Sequence, residues 1–489
     1  GYYEETGNVA RVTAIALAPL AWVSDISLCE RALKMIPTET PEKSELLSQY
    51  GALLIMNGRD QDFATEQLEK ALRIAENCGD DSLKARIHTE WAFISWYQLR
   101  TGDCLDHSIR AIGLSSGLPD RAEEFAARRS LVDVLQVQGE TKEALRQVNI
   151  MHRIAQESGD RWQMVVFHRQ RAKLAIPDGD WTMARRNYDM IISKFTFYIA
   201  FYARALIEHE TGNPERGQYF IERFTDFIRS DREKPSMSYS FWALLIARVS
   251  RISGETALLE LAEEWGHKAL GLNAQIPLGV ATARVALGLL AVLRDDGPAS
   301  TEQFDILIGQ VDSVPGSLSL YSQHEPYGEF FGLHMRSIGK PDESVDHLSK
   351  TLAANTYNRP RCAWLSYELA VSLLERAQND DVSTAKALLE GALGMSVNLG
   401  MPPLEARVRE RLSQLSPPSR NGFPDSLTQR EVEVIHQLVV GKTDQEIADT
   451  LFISIKTASN HVGNILRKTG SGNRTEAANY AVKQGLVDR

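Results

Sequence analysis

Near the carboxyl end of this 489-residue chain, a short segment groups side chains that donate hydrogen bonds and includes no carboxylate. If Ser454 begins a helix that runs to Thr469, one face of that helix presents Lys456, Thr457, Ser459, Asn460, Gly463, Asn464 and Arg467. Such a face can enter a phosphate-lined groove without like-charge repulsion. The carboxamide of Asn460 can also form two hydrogen bonds with adenine. This spacing indicates recognition of DNA.

Signals for helix starts and ends surround this face and predict a compact unit of four short helices at residues 427–489. Three residues that favour N-caps are each followed three positions later by Glu, the spacing of a capping box. These pairs are Thr428 with Glu431, Thr443 with Glu446, and Asn473 with Glu476. Glycines suited to a left-handed helix exit follow at positions 441, 470 and 485.

The two middle helices of this unit have the pattern of a helix-turn-helix. A first helix from about Asp444 to Leu451 has apolar residues on one side. In the second helix the apolar positions again share one face, at spacings of i, i+4, i+7 and i+8. These positions are Ala458, Val462, Ile465 and Leu466. A short helix packed before a helix with a polar outer face is the arrangement that places a recognition helix in the major groove.

The four blocks LTQREVEVI, GKTDQEIADTLFIS, KTASNHVGNILRK and NRTEAANYA together resemble the LuxR-type helix-turn-helix domain, over Ser426 to Val487. The resemblance implies that Ser459, Asn460 and Gly463 face bases and that Thr457 and Lys468 lie near the DNA backbone. Arg474 could contact a phosphate or a neighbouring carboxylate. The candidate DNA-binding residues are therefore Thr443, Lys456, Thr457, Ser459, Asn460, Gly463, Asn464, Arg467, Lys468 and Arg474.

Two departures from the family pattern predict weak binding by a single copy. Ser459 stands where the family often has Lys, and Gly463 offers no side chain. The net charge of the whole chain is −10, whereas from Leu427 onward eight Lys and Arg face seven Asp and Glu. Because phosphate neutralisation dominates affinity, we expect binding as a dimer. The natural dimer surface is a small apolar strip on the last helix: Ala477, Ala478, Ala481 and Val482.

Upstream of this unit, a turn followed by a small residue recurs along the chain and predicts a helical repeat array. Glycines at positions 58, 102, 139, 179, 212 and 254 are 33 to 44 residues apart, the period of helix-turn-helix solenoids. A small residue follows about five positions later in Gly139–Ala144, Gly179–Ala184, Gly212–Gly217 and Gly339–Ser344. The Gly lets the chain reverse, and the small residue lets the helix axes approach. The pattern resembles degenerate tetratricopeptide repeats.

The fold class predicted is therefore all-α, in two domains. Residues 1–414 form the repeat array, residues 415–426 a flexible linker, and residues 427–489 the DNA-binding domain. The linker LSPPSRNGFPDS is rich in proline and polar residues, which disfavours helix and strand. Two aromatic clusters could line a groove, although repeat core is the more common role. They are Phe195, Phe197, Tyr198, Phe201 and Tyr202, and Tyr321, Tyr327, Phe330 and Phe331.

Several function classes find no support in the sequence. There is no HExxH, GxSxG or paired His/Cys pattern, so we expect neither an enzyme nor a metal site. Gly441, Lys442 and Thr443 match the last three residues of a phosphate-binding loop motif. However, His436 occupies the position where that motif requires its first Gly. The four cysteines have no metal-ligand spacing and are expected to be buried thiols in a reducing cytoplasm. No apolar run reaches the roughly twenty residues needed to span a bilayer.

An array followed by such a domain is similar to the carboxyl-terminal half of large ATP-binding, MalT-like LuxR-family regulators. If an ATP-binding module belongs to this protein, it lies before residue 1, and no cofactor is expected within the chain. The leading hypothesis is a cytoplasmic transcription regulator whose array senses an unknown effector or partner. The alternative is a scaffold whose repeats bind protein or peptide, with a vestigial or docking helix-turn-helix.

Overall fold

The computed structural model of the chain forms two compact units, Gly1–Arg411 and Leu412–Arg489. It describes residues 9–16, 26–36, 38–57, 59, 61–195, 198–230, 237–272, 276–309, 318–320, 323–325, 327–415, 423–451 and 453–486. The predicted all-α class is confirmed, with one small exception among these residues. Strands β1 (Leu318–Leu320) and β2 (Gln323–Glu325) form an antiparallel pair in which Ser319 lies opposite His324. No helix in the described ranges is long and apolar enough to cross a membrane.

The first unit is a succession of antiparallel helical hairpins, as in tetratricopeptide repeats. Its helices are α1 (Val9–Ala16), α2 (Ile26–Met35), α3 (Pro41–Met56), α4 (Gln61–Cys78), α5 (Asp81–Tyr97), α6 (Thr101–Ser115), α7 (Ala122–Val137), α8 (Thr141–Ser158), α9 (Arg161–Ala175), α10 (Trp181–Ile192), α11 (Tyr198–Glu210), α12 (Pro214–Arg229), α13 (Met237–Ser253), α14 (Leu259–Leu272), α15 (Pro277–Leu293), α16 (Gly297–Ile308), α17 (Tyr327–Ser337), α18 (Pro341–Ala354), α19 (Arg359–Arg376), α20 (Asp381–Leu399) and α21 (Pro402–Leu415). Each odd-numbered helix from α3 to α19 packs against the helix that follows it, and several odd-numbered helices also pack on one another.

The predicted pattern of a turn followed by a small residue occurs in the majority of the described hairpins. Gly139, Gly179, Gly212 and Gly339 all have φ between 74° and 77°, in the left-handed region. The small residues five positions later are buried: Ala144, Ala184, Gly217 and Ser344. At Gly217 the need for a small residue is severe, because a Cβ there would lie 2.4 Å from the His209 ring.

The prediction of a turn at Gly102 is wrong, because Gly102 lies inside α6. The left-handed residue of that hairpin is Leu99, with a φ of 61°. The amide of Arg100 then donates to the carbonyl of Ser95 at 2.8 Å, as the amide of Glu140 does to Leu135 after Gly139. Five positions after Leu99 stands the fully buried Cys104, so the rule of a turn and a small residue still holds.

Two more turns use a left-handed residue other than glycine. Asp295 and Asp380 have φ values of 59° and 68°. Each precedes by five positions a small residue that is fully buried, Ser300 and Ala385 respectively. The repeat is therefore more regular in the structure than its glycines indicate. The predicted turn at position 58 lies outside the described residues.

The predicted aromatic clusters and the cysteines of this unit are mostly buried. Most of the aromatic cluster residues belong to the core and do not line a groove. Those that are at most 7 % exposed are Tyr198, Phe201, Tyr202, Tyr327, Phe330 and Phe331. Positions 197 and 321 lie outside the described residues. Cys78 is exposed, contrary to expectation, whereas Cys29, Cys104 and Cys362 are buried.

The last hairpins of the array fold back onto turns in its middle. The indole nitrogen of Trp181 donates to the carbonyl of Leu399 at 2.6 Å, and the amide of Arg359 donates to the carbonyl of Pro177 at 2.9 Å. A Cβ built on Gly179 would lie 2.3 Å from the Leu399 side chain. The middle turns therefore pack directly against the segment that carries α19 to α21.

We predict opposite effects from adding one methyl group at two helical glycines. Gly217→Ala should destabilise the array by about 1–3 kcal/mol, because the new Cβ overlaps the buried His209 ring. Gly113→Ala should stabilise it by up to about 1 kcal/mol, since that exposed helical site has open space. Urea denaturation of the full chain followed by circular dichroism measures both. A loss of stability in Gly113→Ala equal to that in Gly217→Ala would contradict the close-approach argument.

Candidate nucleic-acid interface

The second unit contains the four helices that the sequence predicts. They are α22 (Gln429–Val439), α23 (Asp444–Leu451), α24 (Ile455–Thr469) and α25 (Arg474–Lys483). A single apolar core joins them, and Ile435, Ile447, Ala458 and Ile465 are at most 3 % exposed within it.

The predicted linker of residues 415–426 is shorter in the structure. Leu415 still belongs to α21, and Pro424–Ser426 form one turn of 3-10 helix. Phe423 packs against the core of the second unit, and the hydroxyl of Tyr480 donates to the carboxylate of Asp425. The packed core of the four-helix fold therefore includes residues from about four positions before Leu427. The residues between 415 and 423 lie outside the described ranges.

Helix caps set the start of each helix in this unit. The amide of Thr428 donates to the Glu431 carboxylate at 2.8 Å, and the amide of Glu431 donates to the Thr428 hydroxyl at 3.2 Å. Thr443 and Glu446 form the same reciprocal pair. In the third pair the amide of Glu476 donates to Asn473, but the Glu476 carboxylate accepts from the amide of Gly472 instead. Gly441, Gly470 and Gly485 are all left-handed.

The exposed face of α24 carries the predicted donor-rich surface. No Asp or Glu occurs anywhere in the fifteen residues of the helix. Asn464 is half-buried, and its side-chain oxygen accepts a hydrogen bond from Arg467 at 3.0 Å. The exposed residues on this face are Lys456, Thr457, Ser459, Asn460, Gly463 and Arg467. The structure thus brings seven of the ten candidate residues together on one helix face.

The other three candidates have carboxylate partners inside the unit. The ammonium of Lys468 lies 2.7 Å from Glu431. Arg474 forms an ion pair with Asp444, so of its two predicted contacts the carboxylate is the one present. The hydroxyl of Thr443 donates to Glu446 at 2.9 Å. Any contact of Lys468 or Arg474 with a phosphate must therefore compete with an internal carboxylate.

Glu431 is the acceptor that joins α22, the first helix of the unit, to α24. Its side chain is 4 % exposed and accepts from Thr428 and from Lys468 of α24. Burial alone would raise the pKa of Glu431, but these hydrogen bonds outweigh it and hold the pKa below the usual value. Because Glu431 stays ionised, α22 and the end of α24 remain joined at neutral pH.

Two of the four residues predicted to form the dimer surface pack inside the unit instead. Ala477 and Ala481 are fully buried in its core, so the assignment of these two residues to an outer surface is wrong. The core needs them because α25 packs directly on α22. Ala478 and Val482 remain partly exposed. They share one side of α25 with Thr475 and Asn479, at positions i, i+3, i+4 and i+7.

The sequence reasoning missed two cationic side chains that brace the helix-turn-helix. One guanidinium nitrogen of Arg430 on α22 donates to the carbonyl of Leu451 at 2.8 Å and so satisfies the end of α23. The ammonium of Lys442 donates to Gln437 and Thr450, at 2.8 and 3.0 Å. No local pattern in the sequence signals either contact, because both partners lie on other elements.

Comparison with known proteins places residues 425–481 in the family described as bacterial regulatory proteins, luxR family. Similar curated proteins include the transcriptional regulatory protein LiaR of Bacillus subtilis, 39 % identical over 109 residues, or 22 % of this chain and 52 % of LiaR. The response regulator protein VraR of Staphylococcus aureus is 35 % identical over 86 residues, or 18 % of this chain and 39 % of VraR. The chain therefore spans about half the length of LiaR and less of VraR.

Solved structures with some similarity cover most of the chain. One is that of the APC/C hetero-tetramer Cut9-Hcn1, with a TM-score of 0.42 and 14 % identity over 83 % of this chain and 88 % of that one. Another is the P58(IPK) TPR domain, with a TM-score of 0.20 and 16 % identity over 76 % of this chain and 99 % of that one.

We predict that Glu431→Gln destabilises residues 412–489 by about 1–3 kcal/mol at pH 7, because it removes a buried carboxylate that holds two helices. A lowered pKa gives stability that is present above the unfolded value of about 4.3 and is lost as pH falls through the folded value. The difference between wild type and variant should therefore shrink in acid. Urea denaturation at pH 7, 5 and 3 measures it.

Glu433→Gln is the matched control, since Glu433 lies on the same helix but pairs with Arg430 at the surface. We expect it to cost well under 1 kcal/mol at every pH. Equal losses in the two variants at pH 7 would contradict the role assigned to Glu431.

Proposed function

We propose, from the premise that residues 425–481 form a luxR-family domain of bacterial regulatory proteins, that this chain is a transcription regulator. Its recognition helix α24 binds double-stranded DNA in a sequence-specific way, and its helical array controls that binding. The observation that carries this proposal is the exposed, carboxylate-free face of α24. The face is held on a packed core next to α23, as a major-groove reader requires.

The residues on this face are proposed to have different roles, which follow from their side-chain chemistry. The exposed carboxamide of Asn460 reads a base, and adenine offers it a matching donor and acceptor. Lys456 and Arg467 near the two ends of the helix are placed to neutralise phosphates. Ser459 and Gly463 are small, so the helix backbone can approach the base edges closely.

A single copy of this unit has few cations available for phosphates, since Lys468 and Arg474 are paired with Glu431 and Asp444. Two copies double the number of contacts, which is why we propose binding as a homodimer. The partly exposed side of α25 with Ala478 and Val482 is the proposed dimer surface. Two-fold symmetric half-sites about one helical turn apart would match it.

The array is proposed to sense an effector or partner in the cytoplasm and to act as a binding module and not as an enzyme. Its last helices, α20 and α21, directly precede the DNA-binding helices in the sequence, so a change in their packing is the simplest way to transmit a signal. The packing of Leu399 and Arg359 against the middle turns supports this, because such contacts can be made or broken together.

A second candidate function is a protein-binding scaffold with a docking helix-turn-helix. The small Ser459 and Gly463 and the internal pairing of Lys468 and Arg474 favour it. Salt dependence separates the two functions, because phosphate-driven binding weakens steeply as salt rises.

We predict that Asn460→Ala weakens binding to the preferred duplex by about 1–3 kcal/mol and relaxes the preference for one base. The preferred duplex is first selected from a randomised pool with residues 412–489, and fluorescence anisotropy then measures the affinity. Gln429→Ala is the control, because it removes an exposed carboxamide from α22, away from the face. Equal affinity of wild type and Asn460→Ala would refute the reading role. Absence of any enriched duplex, with the unit folded, would favour the scaffold.

We also predict that Val482→Asp weakens self-association of residues 412–489 at least tenfold without unfolding them, because it places a charge in an apolar contact. Sedimentation equilibrium measures the dimer constant, and circular dichroism checks the fold. Gln484→Asp, at the exposed residue that follows α25 on the opposite side of the helix, is the control. A monomeric wild type at concentrations that saturate the selected duplex would contradict the dimer.

A further inference from the structure

Two ion pairs of the second unit hold cations that the sequence predicts to bind DNA, and these pairs differ in exposure. The side chains of Lys468 and Glu431 are 26 % and 4 % exposed. The side chains of Arg474 and Asp444 are 43 % and 21 % exposed. Glu431 is therefore fixed inside the unit, whereas the pair of Arg474 and Asp444 lies at the surface, where DNA can reach it.

The pair of Arg474 and Asp444 joins the starts of two helices. Asp444 is the first residue of α23, and Arg474 is the first residue of α25, 30 positions further along the chain. Within the described ranges, Asp444 is the only side chain that accepts from the Arg474 guanidinium, and Arg474 is the only cation paired with Asp444. Removal of one side chain therefore releases the other.

The fold of the unit does not depend on this pair. Solvent and salt screen an ion pair between exposed side chains, so its contribution to stability is small. Both helices are also attached through the apolar core, α23 by Ile447 and α25 by Ala477. The main consequence of Asp444 is therefore that it keeps one guanidinium group occupied.

Asp444 stands at a position where a carboxylate affects DNA binding. In a helix-turn-helix the first helix crosses the DNA backbone while the second enters the major groove. The first helix here is α23, and Asp444 and Glu446 are the acids of its first turn. Glu446 accepts from the amide and the hydroxyl of Thr443. Asp444 is thus the acid of this turn that is paired with a cation.

One additional cation matters because the unit has little positive charge. From Leu427 onward eight Lys and Arg face seven Asp and Glu, a net charge of +1. If Asp444 were neutral, six acids would remain and the net charge would be +2. Phosphate neutralisation supplies nearly all of the sequence-independent affinity for DNA. A single guanidinium that becomes available should therefore change this affinity measurably.

We propose that Asp444 is a positioning residue that limits binding to the DNA backbone. It holds the guanidinium of Arg474 away from phosphates and so lowers the affinity of the unit for duplex DNA of any sequence. The choice of sequence stays with the exposed face of α24, which this ion pair does not include. The inference rests on the proposed function, since it concerns the strength of DNA binding.

Fluorescence anisotropy of the full chain tests the proposal, with the selected duplex and with a random duplex, between about 50 and 200 mM salt. Asp444→Asn should bind both duplexes about threefold or more tightly, because Arg474 becomes available for a phosphate. The slope of log affinity against log salt should steepen by about 0.9 for each copy bound, the value for one added phosphate contact. A merely structural role of Asp444 would not steepen this slope.

Asp449→Asn is the matched control, since it removes the same charge from another position on α23. Asp449 is exposed and accepts a hydrogen bond from the neutral amide of Gln445 at 3.0 Å, and no cation among the described residues pairs with it. We expect its affinity and salt slope to stay close to those of wild type. Equal gains in Asp444→Asn and Asp449→Asn would attribute the effect to net charge and overturn the proposal.

Arg474→Gln completes a double-mutant cycle, which measures the coupling between the two residues. It should weaken DNA binding less in wild type, where Arg474 is occupied, than in the Asp444→Asn background, where it should remove the gain. A gain that persists in the double variant overturns the proposal, as does an equal loss in the two backgrounds. Circular dichroism checks that each variant is folded.

Failure of this inference can be told apart from failure of the proposed function. If wild type binds the selected duplex and Asp444→Asn shows no gain in affinity or slope, the proposed function stands and the role of Asp444 is refuted. If neither protein binds any duplex in a salt-dependent way, both are refuted.

Discussion

The array depends on one steric constraint, the close approach of two helices at most of the described reversals of the chain. A left-handed residue ends the first helix, and five positions later a small buried side chain lets the second helix pack against it. Where that side chain is absent altogether, as at Gly217, the ring of His209 fills the space. Since every hairpin stacks on its neighbours, the loss of close packing at one reversal disturbs the alignment of several helices.

Charge sets a second constraint, because both units use a buried carboxylate to connect helices that are distant in sequence. Glu431 connects α22 with the end of α24, and Glu329 connects α17 with α13 and α19. In each case the cations outweigh the effect of burial and keep the acid ionised. Such contacts specify geometry, since a displaced partner leaves an unpaired buried charge.

Features that depend on local chemistry could be predicted from the sequence. Features that depend on partners distant in the sequence could not. Capping residues and glycine exits predicted all four helices of the second unit, and the apolar spacing predicted the exposed face of α24. Leu99 could not be predicted as a turn, because leucine has no preference for a left-handed backbone. The pairing of Lys468 with Glu431 spans 37 positions and has no local signature. The ion pairs of Glu329 with Arg251 and Arg361 likewise form only when α13, α17 and α19 meet.

The internal pairing of Lys468 and Arg474 bears on how the proposed regulator would find its target. Sliding along a chromosome requires prolonged attraction to any phosphate backbone, and that attraction grows with the number of cations available. With two of its cations held by Glu431 and Asp444, and with a net charge of −10 on the whole chain, the protein should leave random DNA quickly. Its search would then consist of many brief collisions, and long occupancy would be confined to sites where the base contacts are complete.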